Sequence, residues 1–224
     1  MSNGTVSIDA LVPKDMALKA EGVGVAKAGL GVYRMFALGI LAGAFIAMGA
    51  NYATTVWAGL GKIVVSAGKE VAFTTGLPYG LQRLLGGLVF STGLILVVVG
   101  GAELFTGNCL MPMAWADKKI TTGAMLRNWV IVYLGNFVGS VVTAYFVFLG
   151  KQHLFGGGAV GVTALNIGIA KTSLGFVQCT FLAIFCNALV CMAVWLCFSA
   201  RSTTDKILSI IPPISAFVAC GFEH

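Results

Sequence analysis

The chain has 224 residues, of which 58% are hydrophobic and only 10% charged, with a mean hydropathy of +0.94. Soluble chains carry about 25% charged residues, so this composition excludes a disordered chain and points to an integral membrane protein in a lipid bilayer. The 14 basic and 8 acidic residues leave a net charge of +6, but they are scattered between apolar runs instead of forming the patch that a nucleic acid would need.

The first 34 residues contain Asp9, Lys14, Asp15, Lys19, Glu21, Lys27 and Arg34 and no continuous apolar run, so no cleavable signal peptide is visible in them. Val6, Ile8, Leu11, Met16, Leu18, Val23 and Val25 alternate with that charge, which predicts a helix lying along the membrane surface. Residues 1–34 are therefore read as an N-terminal cytoplasmic or interfacial segment, and residues 35–224 as the transmembrane domain. Asn3-Gly4-Thr5 fits the glycosylation pattern by chance, and Gly22-Val23-Gly24-Val25-Ala26-Lys27 follows no strand, so it fails the dinucleotide context.

A hydrocarbon core about 30 Å thick is crossed by about 20 apolar residues of helix. Uncharged stretches of that order occupy residues 35–61, 84–102, 128–150 and 172–200. A further uncharged piece, 104–116, follows Glu103, and a fifth span begins at Ile207 and meets Glu223 and His224. An N-terminus in the cytoplasm puts nine basic residues inside (Lys14, Lys19, Lys27, Arg34, Lys118, Lys119, Arg127, Arg201, Lys206) and five outside (Lys62, Lys69, Arg83, Lys151, Lys171). The excess favours that orientation, in the inner (plasma) membrane. Gly39-x-x-x-Gly43 and Gly135-x-x-x-Gly139 read as helix-packing faces. All six cysteines, Cys109, Cys179, Cys186, Cys191, Cys197 and Cys220, fall in apolar segments without C-x-x-C spacing, so they read as buried free thiols. No metal or cofactor site is expected.

The second span is not a plain helix. Gly100-Gly101-Ala102-Glu103-Leu104-Phe105-Thr106-Gly107-Asn108 puts glycines, polar residues and a carboxylate at mid-membrane depth. Non-helical backbone there is tolerated where protein buries it or where it lines a watery cavity, and an intramembrane carboxylate is costly without a structural or transport role. The fifth span echoes it: a Gly-x-Glu recurs as Gly221-Phe222-Glu223 after Gly101-Ala102-Glu103. The expected architecture is all-α and polytopic, an inverted repeat with broken helices 2 and 5. The chain is expected to stop within helix 5, short of a sixth span.

Leu41-Ala42-Gly43-Ala44-Phe45-Ile46, Thr74-Thr75-Gly76, Leu104-Phe105-Thr106-Gly107-Asn108, Leu134-Gly135-Asn136, Cys186-Asn187-Ala188-Leu189-Val190-Cys191 and Gly221-Phe222-Glu223-His224 resemble, in this order, the formate/nitrite transporter family. The resemblance runs from about residue 16 to the last residue. It implies an aquaporin-like fold and a homopentamer in which each protomer carries its own pore for formate, nitrite or hydrosulfide, with protons involved in passage. It also implies that Phe45 and Phe217 are constriction residues, that Thr75 and Leu77 lie in a loop folded into the pore, and that Lys171, Asn187 and His224 form a central polar set.

A bare anion in a narrow apolar pore pays a large desolvation cost. An anion channel therefore needs attraction at its vestibule and a way to lower the charge at its constriction. Lys171 supplies a positive field, or else snorkels to the interface. Asn187 offers a buried amide to the anion, or else links helices. His224 titrates near physiological pH and can donate a proton or a hydrogen bond to a weak-acid anion; the bland alternative is a structural histidine bonded to Glu223. His153, in a Gly-rich loop, reads as a surface residue. Two other classes compete: a neutral-solute facilitator of the aquaporin kind, whose Asn-Pro-Ala signature is absent, and a membrane enzyme, for which no nucleophile with its base and no phosphate loop is present.

Overall fold

Residues 10–59, 62–66, 70–74 and 77–224 are described in the computed structural model. Asn3-Gly4-Thr5, Val6, Ile8 and Thr75 lie outside the described residues. Helix α1 (Pro13–Ala28) opens on a proline at its first turn and leads into α2 (Val32–Gly59). A two-stranded antiparallel hairpin, β1 (Lys62–Ser66) and β2 (Glu70–Thr74), precedes α3 (Tyr79–Gly100). Two short helices, α4 (Phe105–Asn108) and α5 (Pro112–Ala116), are followed by α6 (Thr122–Leu149), whose Thr121 cap accepts from the Ala124 amide. The chain continues through α7 (Ala159–Thr172), α8 (Phe176–Ser199) and α9 (Thr203–Cys220), the last opened by a reciprocal Ser202/Asp205 cap. Among the described residues, α2, α3, α6 and α8 are long and apolar enough to cross a membrane.

The fold is helical, as the composition implies, apart from the hairpin. The uncharged runs fall within α2, α3, α6, α8 and α9 to within a few residues. The sequence reading did not resolve α7, a 14-residue helix in front of α8.

Glycine decides how closely these helices approach. On α2 and α6 the two small-residue faces pack on each other within one chain: a Cβ at Gly39 would lie 3.2 Å from the Gly135 Cα, and one at Gly43 would lie 2.8 Å from the Asn136 Cα. Both faces are thus consumed inside the protomer. On α3, Gly87 meets α9 so tightly that a Cβ would lie 2.7 Å from the Ser215 carbonyl oxygen. The resulting core joins Leu94 and Val97 of α3, Cys186 and Val190 of α8, and Ile210, Ile214 and Phe217 of α9. Large apolar side chains such as Phe137, Tyr145 and Phe146 of α6 and Phe176 and Phe181 of α8 face outward, as they do where lipid or another protomer is the solvent.

The N-terminal helix does more than rest on a surface. Met16, Ala20, Gly24 and Ala28, each four residues apart, are buried, and Gly24 sits so close to Ala114 that a Cβ would lie 2.9 Å from that side chain. Lys19 donates to the Phe198 carbonyl at 2.8 Å, and Arg127 to the Ala28 carbonyl at 2.8 Å. At its outer edge Lys119 pairs with Asp117 and Glu21, whose carboxylates raise its pKa above that of an ordinary lysine.

Candidate functional site

Helices α3 and α9 end in the same way. Each stops at a glycine in the left-handed region, Gly101 (φ 75°, ψ 29°) and Gly221 (φ 73°, ψ 28°), a conformation that costs glycine little and other residues more. In each, the amide of the residue after the glycine reaches five residues back, Ala102 to the Val97 carbonyl and Phe222 to the Phe217 carbonyl, both at 3.0 Å. This is the glycine-terminated helix end in which orphan carbonyls are satisfied locally. Two residues past each glycine stands a carboxylate, and each carboxylate takes a lysine from a shorter helix: Glu103 with Lys27 of α1, and Glu223 with Lys171 of α7.

The first turn is closed off by protein. Glu103 is buried and accepts from Lys27 Nζ at 2.7 Å and from Asn108 Nδ2 at 2.9 Å. Asn108 also donates to Asn128 Oδ1 at 2.8 Å, and its carbonyl accepts from the Trp129 indole at 3.0 Å. Asn136 threads the same turn, donating to the Gly39 and Glu103 carbonyls while its Oδ1 accepts from the Phe105 amide. A carboxylate at this depth is tolerable only when so satisfied.

The second turn places His224 in an aromatic setting. The His224 ring stacks on Phe217 (centroids 5.6 Å, 20°) and lies edge-on to Phe90 (6.3 Å), while Phe90 and Phe217 are themselves edge-to-face at 5.5 Å. Glu223 is engaged by Lys171, and the ring contacts of its neighbour His224 are with Phe217 and Phe90. Asn187, on α8, keeps a buried Oδ1 with no hydrogen-bond partner, and so does the Thr106 hydroxyl on α4. The two are near neighbours, because the Cys191 thiol, one helical turn from Asn187, donates to the Thr106 carbonyl at 3.5 Å.

Of the sequence-derived set, His224 and Phe217 are in contact and Lys171 sits one residue away through Glu223. Phe45 packs beside the other turn, where a Cβ at Gly100 would lie 3.4 Å from its ring. Leu77 is half-buried and precedes α3, at the end opposite Gly101. Phe90 and Thr106 were not singled out from sequence. Thr106 stood in the Glu103–Asn108 motif and was readable as the hydroxyl nearest the break; Phe90 carried no signal beyond being an aromatic on an apolar helix. His153 is a correction of another kind. Its ring stacks on Phe148 (5.0 Å, 16°) and its Nδ1 is buried, so it is more than a surface residue. The cysteines also divide: Cys186 and Cys197 are buried and Cys109 and Cys191 half-buried, while Cys179 and Cys220 face outward. Among the described residues, no group of three or more His, Cys, Asp or Glu side chains is arranged to hold a metal.

Four helices among the described residues that are long and apolar enough to cross a membrane, together with relatives that are named channels and transporters, define a multi-pass membrane protein of the transport class and not an enzyme. The sequence profile of the formate/nitrite transporters matches residues 14–224, and the chain belongs to that family. It is 39% identical over 222 residues to the formate channel FocA of Haemophilus influenzae, covering 99% of this chain and 73% of that protein. A solved pentameric formate channel with formate bound superposes with a TM-score of 0.71 at 38% identity, over 86% of this chain and 70% of that one. An ion channel of the same family superposes with a TM-score of 0.78 at 26% identity, over 94% and 78%.

Proposed function

We propose that this protein is a formate channel, assembled as a homopentamer, in which His224 lends a proton or hydrogen bond to the anion as it crosses the aromatic constriction. The observation that carries this reading is the His224 ring stacked on Phe217 and Phe90, at a helix end beside the Lys171–Glu223 pair. Support for formate comes from relatives named formate channels at 37–39% identity over most of the chain.

In this reading α2–α6 and the segment from α7 onward are inverted repeats, and α3 and α9 are the first parts of broken transmembrane helices. The matched Gly101/Gly221 turns and Lys27–Glu103/Lys171–Glu223 pairs support that symmetry. The N-terminus lies in the cytoplasm and the membrane is the inner (plasma) membrane, in keeping with the distribution of basic residues. Residues 10–34 dock α1 on the channel domain.

Lys171 draws the anion toward the turn. Phe217 and Phe90, with Phe45 on the α2–α3 seam, narrow the path and strip water, a step that costs a charge about 3 kcal/mol or more at mid-membrane. An imidazolium at His224 that passes its proton to formate leaves a neutral imidazole and formic acid, which removes the charge where it is most expensive; formic acid gives the proton up to water beyond the constriction, and the imidazole takes another from hydronium. Thr106 and Asn187, with unspent buried oxygens, supply polar contacts beyond the aromatic ring. Leu77, just before α3, contributes from the end of that helix opposite Gly101, and Thr75 is read with it as a pore residue.

Proteoliposome uptake of formate, nitrite, hydrosulfide and glycerol at several pH values tests this reading. Formate uptake that rises as the pH falls is expected. Glycerol passage without anion uptake would replace it with a neutral-solute facilitator, and faster nitrite or hydrosulfide uptake would reassign the anion. Native mass spectrometry that finds only monomers or dimers would remove the pentamer.

A further inference from the structure

Helix α9 ends at Cys220, four residues before His224, and something must hold that end in place. Three helices meet there. The Trp57 indole of α2 donates to the Gln82 carbonyl at 2.9 Å, and its ring lies against Gly86, where a Cβ would come within 2.5 Å of Cζ2. Only glycine leaves room for it. The guanidinium of Arg83 stacks over the same indole, 4.8 Å from the ring centroid. From that shelf Arg83 Nη2 reaches across to the Val218 carbonyl at 2.5 Å, and a Cβ at Gly221 would lie 3.6 Å from the same nitrogen. Val218 directly follows Phe217, on whose ring His224 is stacked.

We infer that Arg83 is a positioning residue for His224: it caps the C-terminal end of α9 from the Trp57 shelf and so fixes the Gly221–His224 turn against Phe217. Two physical features favour arginine here. The end of a helix carries about half a negative charge on its last carbonyls, which would repel an approaching anion, and a cation bonded to one of them offsets that field. A planar guanidinium can stack on an indole and donate in its own plane at once, whereas an ammonium is a point charge on a flexible stem. The Nε of Arg83 is buried without a partner, so the group is held by the Trp57 face and the Val218 carbonyl instead of by a pocket made for all its donors.

The inference rests on the reading of His224 as the group that handles the anion, and its test separates the two. Formate flux is measured by stopped flow in proteoliposomes of the full chain carrying Arg83→Gln, Arg83→Lys, His224→Asn, or Arg83→Gln with His224→Asn. Arg83→Gln is expected to lower maximal flux about tenfold, less than the roughly hundredfold that a misplacement of about 1 Å can cost. Its half-saturating formate concentration should stay within about twofold and its pH profile should flatten. Arg83→Lys should restore part of the flux, and Arg83→Gln should add little in the His224→Asn background. Wild-type flux and pH profile in Arg83→Gln would overturn the inference. So would a fall in flux with an unchanged pH profile, equal in Arg83→Gln and Arg83→Lys, which would make Arg83 a packing residue only. If Arg83→Gln does not assemble, Arg83→Lys decides: loss of the stacked geometry must lower flux and flatten its pH profile, and an unchanged Arg83→Lys overturns the proposal. Wild-type behaviour in His224→Asn, by contrast, would remove the underlying reading and leave the Arg83 contact as structure.

Discussion

The turns after α3 and α9 share backbone, carboxylate and lysine, yet they sit in different surroundings. Glu103 and Lys27 are 8% and 23% exposed, and their pair is extended by Asn108, Asn128 and Asn136; Glu223 and Lys171 are 18% and 48% exposed. The first turn is a keystone, its charges spent on fixing α1, α4 and α6 to one another. The second keeps its cation accessible and places a histidine and two phenylalanines beside it. One device, used twice, holds the structure at one site and, in the function proposed above, would meet the anion at the other. Burial and the number of hydrogen bonds to the carboxylate separate the two uses.

The largest effect separating the two turns should come from Glu103→Gln. Removing one partner of a buried pair leaves the other uncompensated and costs about 3 kcal/mol, so the variant should lose most of its assembled protein in size-exclusion chromatography. Lys27→Met in the same chain should recover part of that loss. Equal stability of Glu103→Gln and wild type would erase the keystone role.

Gly139→Ala should follow, because a Cβ there would meet the Ala44 amide nitrogen at 2.9 Å and α2 and α6 would be forced apart. A cost of about 1–3 kcal/mol is expected for such overpacking, read as a lower thermal midpoint in detergent. Glu223→Gln should barely change stability, by less than about 1 kcal/mol for so open a pair, while altering flux. A stability loss as large as that of Glu103→Gln would show the turns to be equivalent. The smallest effect is expected from Lys171→Glu at high salt. Its slowing of uptake should be greatest at low ionic strength, because attraction by an accessible charge is screened over about 10 Å at 0.1 M.

Hydropathy made the spans legible, because a bilayer demands long uncharged runs and this chain supplies them from Met35 onward. The two Gly-x-Glu segments were legible for a related reason: an acid inside an apolar run costs so much that it marks itself. Their lysine partners were not, since Lys27 lies 76 residues before Glu103 and Lys171 lies 52 before Glu223, and periodicity carries no information over such distances. The same holds for Arg83, whose partner Val218 is 135 residues away. Helix α7 escaped because it is short and follows the glycine run Gly156-Gly157-Gly158, all at positive φ. Phe90 escaped because an aromatic on an apolar helix looks the same whatever it touches; its contacts with Phe217 and His224 appear only in the folded chain.

The central claim is that His224 handles the charge of the anion at the aromatic constriction. Stopped-flow formate flux across a pH series, in pentamers of wild type, His224→Asn and His224→Phe, tests it most directly. His224→Asn should keep part of the flux through its amide donor and lose the pH dependence, and His224→Phe should assemble but lose anion passage. Wild-type rates with a wild-type pH response in both variants would contradict the account.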